Sequence, residues 1–360
     1  MVKLRPYEPV PAAIQQKPRF PFVTRLLLEL FTAGELPNVR EIDLEPDYGY
    51  VGRIVYHSGA VVLFRGARLH LNSLGASEIA LDKGYTKYFL RQLGYHTPQG
   101  RVFLFPDYFQ RIEKQVFQGD FQTFIDEVGA AIEQEIGFPC YLKPISKGQG
   151  EGVNRCARRE DLAEIVGEYQ SADYQLFLVE KAVNWPDYRV VVYKDEVVAC
   201  YRRVPLTVQG DGVSPIRALL QRKQAEWLQL GRARRFDIED SRIIRRLQRD
   251  QMSLETILPV GQLYQLHDVS NLCAGGEVED YTERLHPYWR AFCVRLVADM
   301  GLRFCGVDLA CADVERAETD YSILELNAVP GLSNYAASGE RQARIVRSLY
   351  QRIFNEGDQG

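Results

Sequence analysis

The segment Tyr141-Leu142-Lys143-Pro144-Ile145-Ser146-Lys147-Gly148-Gln149-Gly150-Glu151-Gly152 sets a lysine at the end of a strand-like run, with three alternating glycines just beyond it. A strand end delivers a fixed cation, and glycines let the backbone turn tightly enough to aim several N–H groups at one anion. Lys143, Gly148, Gly150 and Gly152 are therefore candidate polyphosphate ligands, with an ordinary hairpin turn as the alternative. Farther along, Gly306-Val307-Asp308 precedes Leu324-Glu325-Leu326-Asn327-Ala328-Val329-Pro330-Gly331. In an extended strand Glu325 and Asn327 leave one face, while Leu324 and Leu326 leave the other, toward the core. Asp308, Glu325 and Asn327 are hard oxygen donors suited to Mg²⁺ shared with phosphate oxygens. A polar edge strand with a chance pair of acids has the same pattern. A third stretch, Phe177-Leu178-Val179-Glu180-Lys181-Ala182-Val183, leads to Asp187-Tyr188-Arg189. Its backbone suits the edge of an adenine and Asp187 suits ribose hydroxyls; a surface hairpin is the alternative.

These residues need strands to hold them and helices to brace the strands. After short strand-like runs at 53–56 and 60–64, a helix starting at Asp82 carries Tyr85, Tyr88, Phe89 and Leu93 at three- and four-residue spacing, with Gly94 as its stop. A second helix is capped by Asp120 and striped by Phe121, Phe124, Ile125, Val128, Ile132 and Ile136. A strand over 140–143, the glycine loop, a helix over 160–169 and a strand over 175–180 follow. The second half reads as a hairpin (188–194 and 197–203, turning at Asp195-Glu196), a basic helix from Asp240 to Arg249, a strand over 261–266 and a helix over 287–300. Strands over 304–311 and 321–327 and a last helix from about Glu340 complete it. Hairpins mixed with helices, without strict βαβ alternation, indicate an α+β fold with at least one antiparallel sheet.

Composition narrows the class. The chain has 360 residues, 46% hydrophobic and 26% charged, with a net charge of −4. At roughly 150 residues per domain this is two or three globular units. No apolar run approaches the roughly 18 residues of a membrane span, and Pro6, Pro9 and Pro11 stand where a signal peptide needs an apolar stretch, so a cytoplasmic protein without membrane partners is expected. Seven scattered cysteines without a C-x-x-C pair read as free thiols, and five dispersed histidines make a zinc site unexpected. No Gly-Lys dipeptide occurs, so the Walker A loop is absent and a nucleotide must be held by another device. The arginines at 232, 234, 235, 242, 245, 246 and 249 read as a solvated face or as the rim of an anionic substrate site, and nucleic acid is not expected as a partner. His267 and His286 read as structural.

The order of these features resembles the ATP-grasp ligases: Asp82-Lys83 before a helix, Lys143 with its glycine loop, Glu180-Lys181, Asp187-x-Arg189, Arg203-Val204-Pro205, Gly210-Asp211-Gly212, Asp308, then Glu325-x-Asn327-x-x-Pro330-Gly331. The resemblance is closest to the ATP-grasp module of cyanophycin synthetase and to the glutathione synthetase and ribosomal-protein glutamate ligase branch. It covers roughly 81–352, including the segment from Pro259 through Asn271-Leu272-Cys273-Ala274-Gly275-Gly276 to Pro287. It implies a leading region over 1–80 and two α+β subdomains, 81–172 and 173–357, with ATP between them. A substrate carboxylate would attack the γ-phosphate, and an amine would capture the acylphosphate to give an amide, ADP and phosphate.

Carried over by position, Lys83 and Lys143 neutralise phosphates, Gly148, Gly150 and Gly152 close over them, and Glu180, Lys181 and Val183 hold adenine. Asp187 holds ribose, and Asp308, Glu325 and Asn327 bind one or two Mg²⁺ ions, with Mn²⁺ as an alternative. Arg189 and Arg203 are the expected catalytic residues, steadying the transferring phosphoryl group. Small carboxylate and amine substrates, such as amino acids or peptides, are the expected partners, and homo-oligomers occur among such relatives. Two departures weigh against cyanophycin as the product: Cys273 and Ala274 replace two hydroxyl residues of the family loop, and the length leaves no room for further domains, so a single ligation is expected. A nucleotide-binding regulatory or scaffold protein without turnover is the competing reading.

Overall fold

A computed structural model describes residues 2–4, 20–114, 119–148, 150–229 and 236–356. Pro6, Pro9, Pro11, Pro18, Gln149, Arg232, Arg234, Arg235 and the Cys273 side chain lie outside the described residues. Strands β1 (Val2–Leu4), β2 (Val39–Leu44), β3 (Val51–Tyr56) and β4 (Val61–Arg65) form an antiparallel sheet in that order, beside helix α1 (Phe22–Thr32). Helices α2 (Leu74–Leu81) and α3 (Lys83–Gln92) are separated by Asp82, whose carboxylate caps α3 by accepting from the Tyr85 N–H at 2.9 Å.

Helix α3 corrects a sequence expectation. Tyr85, Tyr88, Phe89 and Leu93 are 64%, 58%, 40% and 45% exposed, whereas the buried face is Lys83, Thr86, Lys87 and Leu90. Both faces have helical spacing, and the polar one turns inward because its lysines find carboxylates and carbonyls there. Next come β5 (Gly100–Leu104), α4 (Pro106–Glu113), α5 (Phe121–Glu135), β6 (Cys140–Pro144), β7 (Asn154–Cys156), α6 (Leu162–Ser171) and β8 (Leu176–Lys181). The four strands make an antiparallel sheet in the order β5-β8-β6-β7. Cys140 and Leu142 join the core under α5 and α6, so Tyr141 and Lys143 emerge on the other face.

The remaining elements are β9 (Asp187–Tyr193), β10 (Glu196–Val204), β11 (Thr207–Gln209), α7 (Ile216–Gln229), α8 (Ser241–Arg249), β12 (Leu263–Gln265), β13 (Glu277–Asp280), α9 (Pro287–Asp299), β14 (Phe304–Cys311), β15 (Tyr321–Asn327), α10 (Ser333–Ala336) and α11 (Glu340–Glu356). An antiparallel sheet runs β13-β10-β9-β14-β15, and α9 packs Trp289, Phe292 and Leu296 onto one face of it. The β11-β12 ribbon, α7 and α8 gather a core of their own around Leu220, Ile243 and Leu266. The β9-β10 turn is Lys194-Asp195, one residue earlier than the sequence suggested. Lys194 tolerates a φ of 55° because its N–H donates to the Arg303 carbonyl and its ammonium pairs with Glu356.

Strand β15 carries a second correction. The register with β14 skips Leu324, which is only half-buried, and Ile323 with Leu326 occupies the core in its place. Six cysteines, Cys140, Cys156, Cys200, Cys293, Cys305 and Cys311, are buried free thiols. Among the described residues no helix is long and apolar enough to cross a membrane.

Leu27, Leu30 and Phe31 of α1, Val191 and Tyr193 of β9, and Leu349, Tyr350 and Ile353 of α11 belong to one continuous apolar cluster. Arg347 reaches Glu35 at 2.6 Å and the Asn38 amide reaches the Asn355 carbonyl at 2.9 Å across that seam. Leu349→Ala should therefore loosen the first sheet and α11 together, at a cost of roughly 2–5 kcal/mol. Urea unfolding followed by hydrogen exchange at α1 checks this, since both segments should lose protection in parallel.

Candidate active site

One face of the five-stranded sheet changes character along its strands. Val191 and Tyr193 point into the apolar cluster, and two and four residues earlier the same face of β9 carries Arg189 and Asp187. The antiparallel register sets Arg189 opposite Asp308 and Asp308 opposite Glu325, a row of three charged side chains across three strands. Arg189 grips Asp308 with two donors, Nε to Oδ1 and Nη2 to Oδ2, the latter at 3.1 Å. Arg203 reaches both Asp187 oxygens at 2.7 Å and Asp308 Oδ2 at 2.8 Å. The Ser270 hydroxyl donates to Asp187 Oδ2.

Burial alone would raise the Asp308 pKa, but the Arg189 and Arg203 guanidiniums outweigh it and hold the carboxyl below its ordinary range. A side chain at Gly306 would meet Arg189 Cδ at 2.8 Å, so this position must be bare for the arginine to lie across the strand. Asn327, opposite Gly306 in the register, has no hydrogen bond from its amide among the described residues.

Helix α3 supplies the second cluster. Lys83 Nζ donates to the Lys147 carbonyl at 2.6 Å and lies 3.5 Å from Glu325 Oε1. One turn on, Lys87 Nζ is 2.8 Å from Glu180 Oε1 and donates to the Ile323 carbonyl at 2.9 Å. Lys143 holds the other Glu180 oxygen at 2.6 Å. Glu180 is 1% exposed. Burial pushes its pKa up, but Lys143 and Lys87 together pull it down to about 2. The two lysines respond in opposite senses. Burial dominates at Lys87 and brings it down to about 8, with Lys143 adding to the fall. At Lys143 burial is outweighed by Glu180, helped by Glu325 and Asp187, and the pKa rises.

The glycine loop lies beside these cations. Gly150 and Gly152 each have a φ of +68°, which a side chain would strain, and Gly148 borders open space. The Gly150 carbonyl accepts from the Val153 N–H at 3.2 Å and from Arg242 of α8 at 2.8 Å. At the end of β8, Glu180 leads into an exposed Lys181 whose N–H goes to the Gln99 carbonyl at 2.8 Å, and the Ala182 N–H goes to the Pro139 carbonyl at 3.2 Å. The Val183 backbone has no hydrogen bond among the described residues.

The D-ala D-ala ligase C-terminus family model matches residues 109–212, the stretch that holds the glycine loop, Glu180 and the β9-β10 hairpin. The chain is 28% identical over 281 residues to cyanophycin synthetase of Trichormus variabilis, covering 75% of this chain and 28% of that one. It is 27% identical over 289 residues to the glutathione biosynthesis bifunctional protein GshAB of Streptococcus mutans, covering 76% of this chain and 35% of that one. The structure of a bifunctional glutathione synthetase from Pasteurella multocida superposes with a TM-score of 0.56 at 21% identity, over 92% of this chain and 44% of that one. These likenesses are to ATP-grasp ligases, and the chain shares their fold. It spans about a third or less of the length of the curated relatives it matches.

Within this chain, Lys83, Lys143, Glu180, Asp187, Arg189, Arg203, Asp308 and Glu325 form two adjoining clusters linked through Lys83 and Glu325. With Lys87 counted, five cations face four carboxylates across them, a near balance that suits a metal-neutralised triphosphate better than a bare one. Among the described residues no three His, Cys, Asp or Glu side chains converge as a ready-made metal site. Glu325 and Asn327 have oxygen to offer a hard cation, and Asp308 has it once an arginine is drawn away. Asp211 lies apart, paired with Arg222 at 2.7 Å in an exposed turn.

Sequence reasoning passed over Lys87 and Ser270, and it did not foresee that Arg242 reaches the glycine loop. Only Lys87 left a readable trace, four residues after Lys83 on the same helix. The α8 arginines are not a solvated face: Arg245 pairs with Glu164 and Glu168, and Arg246 and Arg249 share Asp268 at 2.8 Å each. His286 caps α9 by accepting from the Tyr288 N–H at 3.1 Å.

Lys87→Met should leave Glu180 half-neutralised in a site without water and lower stability by about 3 kcal/mol, read as a fall in urea midpoint. His267 is 1% exposed, and burial, with Arg242 adding, draws its pKa down to about 4. A base that is harder to protonate in the fold is a stabilising neutral group above pH 6.5, and that advantage drains away as pH falls toward 4. The stability difference between the wild type and His267→Gln should therefore shrink by about 3 kcal/mol from pH 7 to pH 4. Unfolding curves across that range measure it.

Proposed function

We propose that this chain is an ADP-forming carboxylate–amine ligase acting on an amino acid, a peptide or a similar small metabolite. The observation that carries the reading is the charged row Arg189, Asp308 and Glu325, joined through Lys83 to the carbonyl that opens the glycine loop. Phosphoryl transfer asks a protein for positioning and charge neutralisation more than for covalent chemistry, and this row with its lysines is built of those two things. The likeness to ligases supports the same reading.

In this proposal ATP lies between the β5-β8-β6-β7 sheet and the five-stranded sheet. Lys83 and Lys143 meet its phosphates, and Gly148, Gly150 and Gly152 cover them. The segment from Glu180 through Lys181 to Val183 borders adenine, and Asp187 turns to ribose. Asp308, Glu325 and Asn327 would hold magnesium, which supplies charge neutralisation to the phosphate oxygens when bound. A substrate carboxylate oxygen attacks the γ-phosphorus, its bond to the β,γ-bridging oxygen breaks and ADP leaves. The amine nitrogen then attacks the acyl carbon, inorganic phosphate departs and the nitrogen loses a proton to give the amide. Arg189 and Arg203 hold the phosphoryl oxygens through both steps, which requires them to relax their grip on Asp308 and Asp187.

Release of ADP from MgATP should require both a carboxylate and an amine. It should fall by on the order of a hundredfold or more in Glu325→Gln and Lys143→Ala, with melting curves confirming that both variants fold. A phosphate-release screen over carboxylate and amine pairs, with the product mass determined, tests this. Tight MgATP binding with no ADP from any pair would replace the reading with a regulatory nucleotide-binding role.

A further inference from the structure

Beyond the nucleotide clusters, a small recess of about 20 Å³, open to solvent on one side, lies where α8 and the segment 267–269 meet β7. Its lining includes Arg155, Arg242, Arg245, Arg246, Arg249 and His267, with Asp268 as the one acid. The four α8 arginines are held in place by acids: Arg242 by Asp240, Arg245 by Glu164 and Glu168, Arg246 by Asp268 and Asp250, and Arg249 by Asp268. Arg155 is the exception. Half-buried on β7, it has no ion pair and no hydrogen bond among the described residues. His267, on the opposite wall, is 1% exposed and its Nδ1 is buried without a partner. A half-buried guanidinium lacks an acceptor, and the buried imidazole nitrogen lining the same recess lacks a partner, which a carboxylate supplies to Nδ1 in its N–H tautomer.

The position of the recess says what that acceptor is for. Arg155 is the register partner of Tyr141, whose hydroxyl donates to the Asp268 carbonyl at 2.8 Å, and Lys143 lies two residues along the same face of β6. The recess is thus one residue pair outward from the lysine cluster on the nucleotide-facing side of the sheet. Arg242 carries its wall to the Gly150 carbonyl at 2.8 Å. Planar guanidiniums offer paired N–H donors that match a carboxylate.

We propose that this recess is a subsite for a carboxylate of the substrate other than the one that is activated, with Arg155 and His267 as its specificity-determining contacts. The proposal rests on the ligase reading and makes the preferred substrate acidic, an amino acid or peptide carrying an extra carboxylate.

The test uses the whole chain. Succinate and tricarballylate should raise the melting temperature of the wild type, and Arg155→Gln should weaken their apparent affinity on the order of ten- to a hundredfold. Arg155→Lys should recover part of it, and stabilisation by MgATP should persist in both variants. In phosphate release, Arg155→Gln should raise KM for an acidic substrate much more than for its neutral analogue. Equal carboxylate binding by wild type and Arg155→Gln, no stabilisation of the wild type by either carboxylate, or a matching Arg155-dependent response to inorganic phosphate would each overturn the proposal. ADP formation with a KM indifferent to Arg155 would defeat the subsite and leave the ligase standing. Arg155-dependent carboxylate binding without ADP from any pair would do the reverse.

Discussion

Glu180 is a carboxylate almost without water, and it survives as an anion because two ammoniums close on it from different elements. One of these comes from α3 and the other from the strand that feeds the glycine loop. Taking such a group out of water costs several kcal/mol, and the cost is offset only while both partners keep their places. The position of α3 follows from this, because the same Lys87 also donates to the Ile323 carbonyl on β15. Helix, loop strand and β15 are thereby held in one frame, and Lys83, one turn away, inherits a fixed route from the loop to Glu325.

The second constraint is the mutual occupation of acids and arginines on the five-stranded sheet. Asp308 and Asp187 have their oxygens engaged by Arg189, Arg203 and Ser270. Such an arrangement keeps buried charges satisfied when nothing else is bound, and it sets a threshold. A ligand displaces these pairs only if it brings both negative oxygens for the arginines and positive charge for the carboxylates. Under the proposed function, a metal-bound nucleotide brings both at once.

Much of this was legible in the sequence, for reasons that differ from residue to residue. Strand alternation placed Asp187 with Arg189 and Glu325 with Asn327 on shared faces, because a two-residue period leaves no other choice. It failed at Leu324, since a bulge interrupts that period and depends on the partner strand rather than on local composition. Helix periodicity found α3 but not which of its faces is buried. The apolar spacing runs through Tyr85, Tyr88 and Phe89, which stay exposed, while the lysines turn inward because carboxylates distant in sequence lie there. The role of α8 was hidden for a related reason: arginines look alike in a sequence whether they meet solvent or acids on another helix.

The apolar cluster that joins α1 and the first sheet to α11 ties folding to the order of synthesis. A ribosome makes Leu27 and Leu30 more than three hundred residues before Leu349 and Ile353, and until the latter emerge the shared core is closed only in part, by residues such as Val191, Tyr193 and Phe304. Chains usually acquire structure from the amino end as they are made, but here the helix Phe22–Thr32 completes its packing only when Glu340–Glu356 has been made. Part of its leucine face therefore stays unburied through most of elongation.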